Sequence, residues 1–324
     1  MDRNLALEFV RVTEAAAIAA AKWLGRGDSK AADQAAVDEM RDRFNQIDFS
    51  GTVVIGEGEK DEAAELYTGE KVGRGKAPEM DLAIDPLEAT DSVAFGRLNA
   101  LAVIVAGSRG SLLHAPDTYM NKIMVGPAAA NVIDLDAPAA DNIKKVAKAL
   151  GKEVAEVTVM MLDRPRHENL IKETRAAGAR IRLITDGDVA AGVATCLPDS
   201  GVDMVLGIGG STEAVLAAVP IKILGGQILA RFVPRHENDR ARISDCLATA
   251  GIKDIQKIFR ASDLARGKQL TFTATGVVDG PLLAGVLFKS ETTITQSVVI
   301  RAQSGTIRYI TTHHNHHYYD REIS

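Results

Sequence analysis

The sequence predicts an α/β fold, and three observations carry that prediction. Aromatic residues fill only 4% of the 324 positions while Ala, Val, Ile and Gly abound, a composition suited to sheets covered by helices. Hydrophobic residues at 46% and charged residues at 25% match the globular average and exclude a disordered chain. Beyond Pro138, short apolar runs alternate with helical patterns, the sequence form of a sheet flanked by helices.

The elements follow in order. Leu5, Phe9, Val12, Ala16, Ala20 and Trp23 recur at helical spacing, and Gly25 to Asp28 stops the helix. A second helix puts Val37, Met40 and Phe44 on one face, with Asp33 near its start. Thr52 to Ile55 is a short strand running into Gly56, Glu57, Gly58 and Glu59. Met80 to Ile84 is a second, running into Asp85 and Thr90; Leu101 to Val105 is a third and Asn131 to Leu135 a fourth. Helices at Ala139–Leu150, Pro165–Ala177 and Thr212–Leu224 then alternate with strands at Val157–Leu162, Ile181–Thr185 and Met204–Ile208, with a further helix before the last of these strands. Strand-rich runs at Leu270–Ala274, Ile294–Ile300 and Thr306–Ile310 end the pattern. No repeat and no Pro/Gly linker interrupts the chain, so it reads as one compact unit of two lobes, 1–155 and 156–324.

Several function classes drop out. With 38 Lys and Arg against 43 Asp and Glu the net charge is −5, and no basic block offers a surface to nucleic acid. No stretch approaches the roughly 20 apolar residues that span a bilayer, so no membrane partner is expected. Acids at Asp2, Glu8 and Glu14 within a helical pattern do not form a leader peptide, and the chain reads as cytoplasmic. Cys196 and Cys246 form no C-x-x-C or zinc spacing and read as reduced thiols. Gly207, Gly209 and Gly210 open a strand-to-helix turn, but Thr212 stands where a dinucleotide fingerprint needs glycine.

The chemistry concentrates in acids at strand ends. Glu57 lies between two glycines, Asp85 and Glu88 flank Pro86, and Glu213 follows a Gly-rich turn. Strand ends in α/β folds face the ligand crevice. Carboxylates meeting there repel one another unless a cation sits between them, and their hard oxygens suit Mg²⁺ or Mn²⁺ rather than Zn²⁺. The tract His313 to His317 reads as a surface segment without a catalytic role.

Asp85-Pro86-Leu87-Glu88-Ala89-Thr90 resembles the D-P-[IL]-[DE]-G-T signature of the lithium-sensitive, metal-dependent sugar and inositol phosphatases. With Ala6–Glu14, Trp23–Asp28, Val54–Glu59, Ala115–Met120, Asp186–Asp188 and Gly207–Gly210, the chain resembles class II fructose-1,6-bisphosphatase, the GlpX type, from residue 1 to about 312. That resemblance implies a layered α-β-α-β-α sandwich, a homodimer or homotetramer, and hydrolysis of the 1-phosphate of fructose 1,6-bisphosphate in gluconeogenesis. It implies one divalent metal on Asp33 and Glu57 and a second on Asp85, Glu88 and Glu213. Thr90 would orient the attacking water and Asp33 accept its proton. Glu88, Ala89 and Thr90 would hold the scissile phosphate. Tyr119, Arg164, Pro165, Arg166, Asp186, Gly187, Asp188 and Gly210 would hold the rest of the sugar bisphosphate. The first lobe then binds metal and phosphate, the second the sugar. Sedoheptulose 1,7-bisphosphate is an alternative second substrate.

The sequence departs from the pattern at four places: Ala89 and Ala214 replace glycines, Asp91 puts an acid beside the phosphate-binding turn, and Ser29 stands where Lys is common. At positive φ, Ala89 would cost about 1–2 kcal/mol. Ala89 and Asp91 together frame a second alternative, a catalytically weakened sugar-phosphate-binding relative.

Overall fold

The computed structural model describes residues 5–58 and 65–316. Helix α1 (Leu5–Ala21) buries Phe9, Val12, Ala16 and Ala20, the stripe that predicted it. Asp28 caps α2 (Ser29–Phe44) by accepting a hydrogen bond from Ala31 N at 3.0 Å. There follow β1 (Ser50–Ile55), β2 (Lys71–Val72), β3 (Glu79–Glu88), α3 (Thr90–Ala94), β4 (Ala100–Ser108) and β5 (Tyr119–Val125). The expected alternation appears as α4 (Ala139–Leu150), β6 (Thr158–Leu162), α5 (Glu168–Ala176), β7 (Arg180–Ile184), α6 (Asp188–Ala194), β8 (Met204–Gly210) and α7 (Ser211–Ile223). The chain then runs through β9 (Gln227–Phe232), α8 (Glu237–Thr249), β10 (Phe259–Arg260) and α9 (Ala261–Leu264). Strands β11 (Leu270–Val278), β12 (Leu287–Phe288), β13 (Thr292–Arg301) and β14 (Thr306–Asn315) complete it.

Two mixed sheets organise these elements. One has the order β12-β13-β11-β4-β3-β1-β2 with β14 on the free side of β13; the other has the order β10-β9-β5-β8-β6-β7. Phe9, Met40 and Phe44 pack α1 and α2 onto one face of the first sheet, through Phe49, Leu82 and Ile104. Its opposite face (Val103, Val105, Phe272) meets Val193, Leu216 and Ile221 of α6 and α7, which in turn cover Met124 and Ile228 of the second sheet. Ile143, Val146 and Ile171 of α4 and α5 close the far side over Ile123, Val159 and Leu206. The result is an α-β-α-β-α stack. No helix among the described residues is long and apolar enough to cross a membrane.

Residues 131–135, expected as a strand, form turns instead. Their backbone is satisfied from the side: Asp134 N donates to Asn142 Oδ1 at 2.8 Å, and Asn142 Nδ2 donates to Asp134 O at 2.8 Å. Position 155 falls in the 3₁₀ turn Val154–Glu156, within the stretch that builds the second sheet, while β11 to β14 return to the first.

Candidate active site

Strands β1 and β3 are parallel, so their C-terminal ends lie at one edge of the first sheet. Glu57 leaves β1 through Gly56, where an added Cβ would stand 1.9 Å from Leu66 O, so no side chain fits there. The register of β3 against β4 slips between Asp85 and Glu88, a bulge that re-aims the two acids flanking Pro86. Helix α2 supplies Asp33, and the first turn of α7, directly after β8, supplies Glu213. These five acids line one cavity of about 480 Å³. Ala89 and Thr90 line it beside them, and Tyr119, Arg164, Arg166, Asp186, Gly187, Asp188 and Gly210 line it too. Pro165 does not; it opens the 3₁₀ turn Pro165–His167 between the two lining arginines. Glu59 and His317 lie outside the described residues.

The acids crowd one another. Burial and the neighbouring Asp33 charge push Glu57 up to about 8. Burial, then the charges of Glu57, Glu88 and Glu213, holds Asp85 well above the carboxylate range. Burial and then Asp188 raise Glu88, although Val189 N donates to its Oε1 at 2.7 Å. Burial raises Asp33, Asp186 and Glu213 as well. Glu88 Oε2 and Asp188 Oδ1 are buried with no hydrogen-bond partner. Such a site favours a positive guest, and an all-carboxylate donor set fits a hard divalent cation. Among the described residues no three acid, His or Cys side chains are already gathered tightly enough to ligate a single ion.

Residues 3–314 match the family described as bacterial fructose-1,6-bisphosphatase, glpX-encoded. The chain belongs to this family. It is 47% identical over 330 aligned positions to Fructose-1,6-bisphosphatase 1 class 2 of Escherichia coli (strain K12), across 99% of this chain and 97% of that protein. The class 2 fructose-1,6-bisphosphatase of Haemophilus influenzae is 45% identical over 323 positions, across 97% of each chain. The protein is therefore an enzyme of the phosphatase group, a hydrolase.

The departures from the family motif acquire definite places. Ala89 is buried with φ 72 and ψ 53, the left-handed region. Asp91 stays off the cavity wall in the first turn of α3, though its charge adds to the rise of Asp186. Ala214 is fully buried inside α7, where Ala is a good helix former. Ser29 opens α2.

Four supporting residues were not singled out in the sequence. Lys122 of β5 is 1% exposed, and its Nζ donates to Asp188 Oδ2 at 2.5 Å and to Gly210 O at 2.9 Å. Asn99 Nδ2 donates to the carbonyls of Asp186 and Gly187 at 3.0 and 2.8 Å. His167 accepts from Ile208 N at 2.7 Å through Nε2 and so donates from Nδ1 to Leu162 O at 2.8 Å, with burial lowering its pKa. Arg235 and Arg166 each stand 4.6 Å from the centre of the Tyr119 ring, and Asp239 grips Arg235 at 2.7 and 3.1 Å. A lone Lys, Asn or Arg carries no motif, so nothing in the sequence marks them. Cys196 and Cys246 lie off this cavity, and burial lifts both thiols to about 11, which leaves them protonated.

Proposed function

We propose that the protein hydrolyses the 1-phosphate of fructose 1,6-bisphosphate to fructose 6-phosphate and inorganic phosphate, in gluconeogenesis. The observation that carries this reading is the polarity of one cavity, lined by eight acids, the five candidate metal ligands among them, together with a Tyr and two arginines. Asp33 and Glu57 would hold one divalent cation, Mg²⁺ or Mn²⁺, and Asp85, Glu88 and Glu213 a second, and these ions would offset the charge of the phosphate and make a nearby water more acidic. Thr90 Oγ1 orients that water by donating one hydrogen bond and accepting another. Asp33 takes its proton. As the water oxygen bonds to phosphorus, the bond from phosphorus to the C1 oxygen breaks, and the departing C1 oxygen takes a proton from solvent so that the sugar leaves as an alcohol. Glu88, Ala89 and Thr90 border the scissile phosphate. Arg164 and Arg166 grip the retained phosphate with paired N–H donors. Asp186 and Asp188 accept hydrogen bonds from sugar hydroxyls beside Gly187 and Gly210, with Tyr119 against the chain of the sugar. The enzyme works in the cytoplasm as a homo-oligomer.

The test is phosphate release from metal-stripped protein given fructose 1,6-bisphosphate, with Mn²⁺ or Mg²⁺ restored. Release that requires metal and falls about a hundredfold or more in Thr90→Ala, with unchanged melting, is expected. Metal-independent release, or release retained in Thr90→Ala, would overturn the reading. Sedoheptulose 1,7-bisphosphate, run in parallel, measures the breadth of the sugar site.

A further inference from the structure

A second cavity, about 430 Å³ against about 480 Å³ for the first, opens behind the Asp186–Asp188 loop. Apart from Met160 of β6, its walls come from three places: residues 182–185 of β7 and its end, residues 97–99 between α3 and β4, and residues 279–281 after β11. Two of these walls are continuous in the chain with the active site. Thr185 leads directly into Asp186, and the turn carrying Arg97 follows the helix that begins at Thr90.

The lining has a definite chemistry. Met160, Leu98, Leu183 and Ile184 make the surface largely apolar. Leu98 is 68% exposed and Leu183 38%, so both present apolar surface to the cavity. Arg97 and Arg182 bring two guanidinium groups to the same walls. Among the described residues neither forms an ion pair with a carboxylate. Asp279 lines the cavity too, its Oδ1 accepting from Gly285 N at 2.7 Å, and Arg97 lies 5.1 Å over the Phe95 ring. Apolar walls with two guanidiniums against one carboxylate suit an anion, a phosphate, sulfonate or carboxylate, carried on an apolar body.

Asn99 joins the three walls. Its N donates to Asp279 O at 2.8 Å, and its Nδ2 donates to Asp186 O and Gly187 O. It sits at φ 74, buried, with Oδ1 unpartnered beside Gly280, itself a lining residue. A Cβ at Gly187 would stand 2.4 Å from Asn99 Nδ2, so this contact requires glycine in the loop. A guest that shifts the 97–99 wall therefore shifts the carbonyls of Asp186 and Gly187.

We propose that this cavity is an effector site for a small anion with an apolar body, its effect transmitted through Asn99 to the Asp186–Asp188 loop. The transmission rests on the sugar-binding role proposed for that loop; the binding does not.

The probe is 1-anilinonaphthalene-8-sulfonate, titrated by fluorescence into metal-loaded protein with saturating fructose 6-phosphate filling the substrate cavity. Saturable binding of one probe per chain is expected. The double variant Arg97→Ala/Arg182→Ala should weaken it about tenfold or more, the worth of charge-assisted hydrogen bonds to an anion. The probe should also change KM for fructose 1,6-bisphosphate, and Asn99→Gly, which keeps the positive φ, should abolish that change while binding persists. Absent saturation, or equal binding by the double variant, overturns the site. Binding with an unmoved KM overturns the transmission. A smaller assembly for Leu98→Asp on sedimentation overturns both, because the patch is then a contact between copies. If the enzyme releases no phosphate, the proposed function fails while the fluorescence result still decides the site.

Discussion

Ala89 shows how one methyl group alters a turn at the cavity wall. At φ 72 its Cβ crowds the adjoining carbonyl, a strain that glycine lacks. Ala89→Gly removes the strain but frees the unfolded chain, so a net gain of about 0.5–1 kcal/mol is expected as a higher urea midpoint with unchanged slope. The KM for the bisphosphate should fall as well, since the proposed function sets this methyl beside the scissile phosphate. An unchanged midpoint would mean that the turn relaxes around Ala89. Lys122 is the opposite case, a residue whose importance depends wholly on tertiary partners. In sequence it is one charge in the run Tyr119 to Val125, and a Lys in a strand reads as solvent-facing. In the fold it lies under Asp188 and Gly210 O and is nearly inaccessible. Lys122→Met strands a buried carboxylate and should cost about 3–5 kcal/mol by denaturant titration. The acids were legible for the converse reason: Glu57 follows β1, Asp85 and Glu88 lie in the last four residues of β3, and Glu213 is in the first turn of the helix after β8, positions that a short apolar run in the sequence points to.

At the scale of the element, α1 is attached to the first sheet by more than its apolar stripe. Thr13 Oγ1 pairs with Thr275 Oγ1 at 2.7 Å, and Thr275 pairs in turn with Ser297 at 2.8 Å. Thr295 Oγ1 donates to the buried Glu14 at 3.2 Å and shares a 2.9 Å contact with His314 Nε2. The histidine tract thus serves β14: His314 reaches Thr295, and His316 Nε2 reaches Thr293 Oγ1 at 2.9 Å. Thr295→Val keeps the volume and removes a donor from Glu14. It should destabilise the protein by about 1–3 kcal/mol, read from the denaturant midpoint, with KM for the bisphosphate unmoved. The helix itself was legible, because a stripe at helical spacing needs no partner to be recognised. The hydroxyl ladder beneath it was not, since Thr alternating along β11 and β13 looks like a solvent face. Strands β5 and β9 and helix α8 escaped for related reasons. β5 carries Asn121 and Lys122, β9 follows two glycines, and α8 has buried residues only at Asp239, Ile243 and Leu247.

For the molecule as a whole, the five-layer stack was legible only through likeness to a family. Short apolar runs identify strands without saying which sheet each one joins, and here β11 to β14 return across the entire second sheet to complete the first. The pairing of β1 with β3 and the packing of α7 between the sheets set Glu57, Asp85, Glu88 and Glu213 within reach of one another, and the stability of the molecule should record their repulsion. Glu57 rises from an ordinary 4.5 to about 8, so between those values the folded metal-free chain holds a proton that the unfolded chain has lost. Unfolding then releases protons, and stability falls as pH rises through that window. Asp33, Asp85, Glu88 and Glu213 shift in the same direction and steepen the fall. A divalent cation binds only the ionised acids of the folded state, so its stabilising effect should grow over the same range. The expected result is a metal-free melting temperature that declines from pH 5.5 to pH 8 and a Mn²⁺-dependent increment that is larger at pH 8. A flat metal-free profile, or an increment independent of pH, would show that these carboxyls do not repel one another as their burial requires.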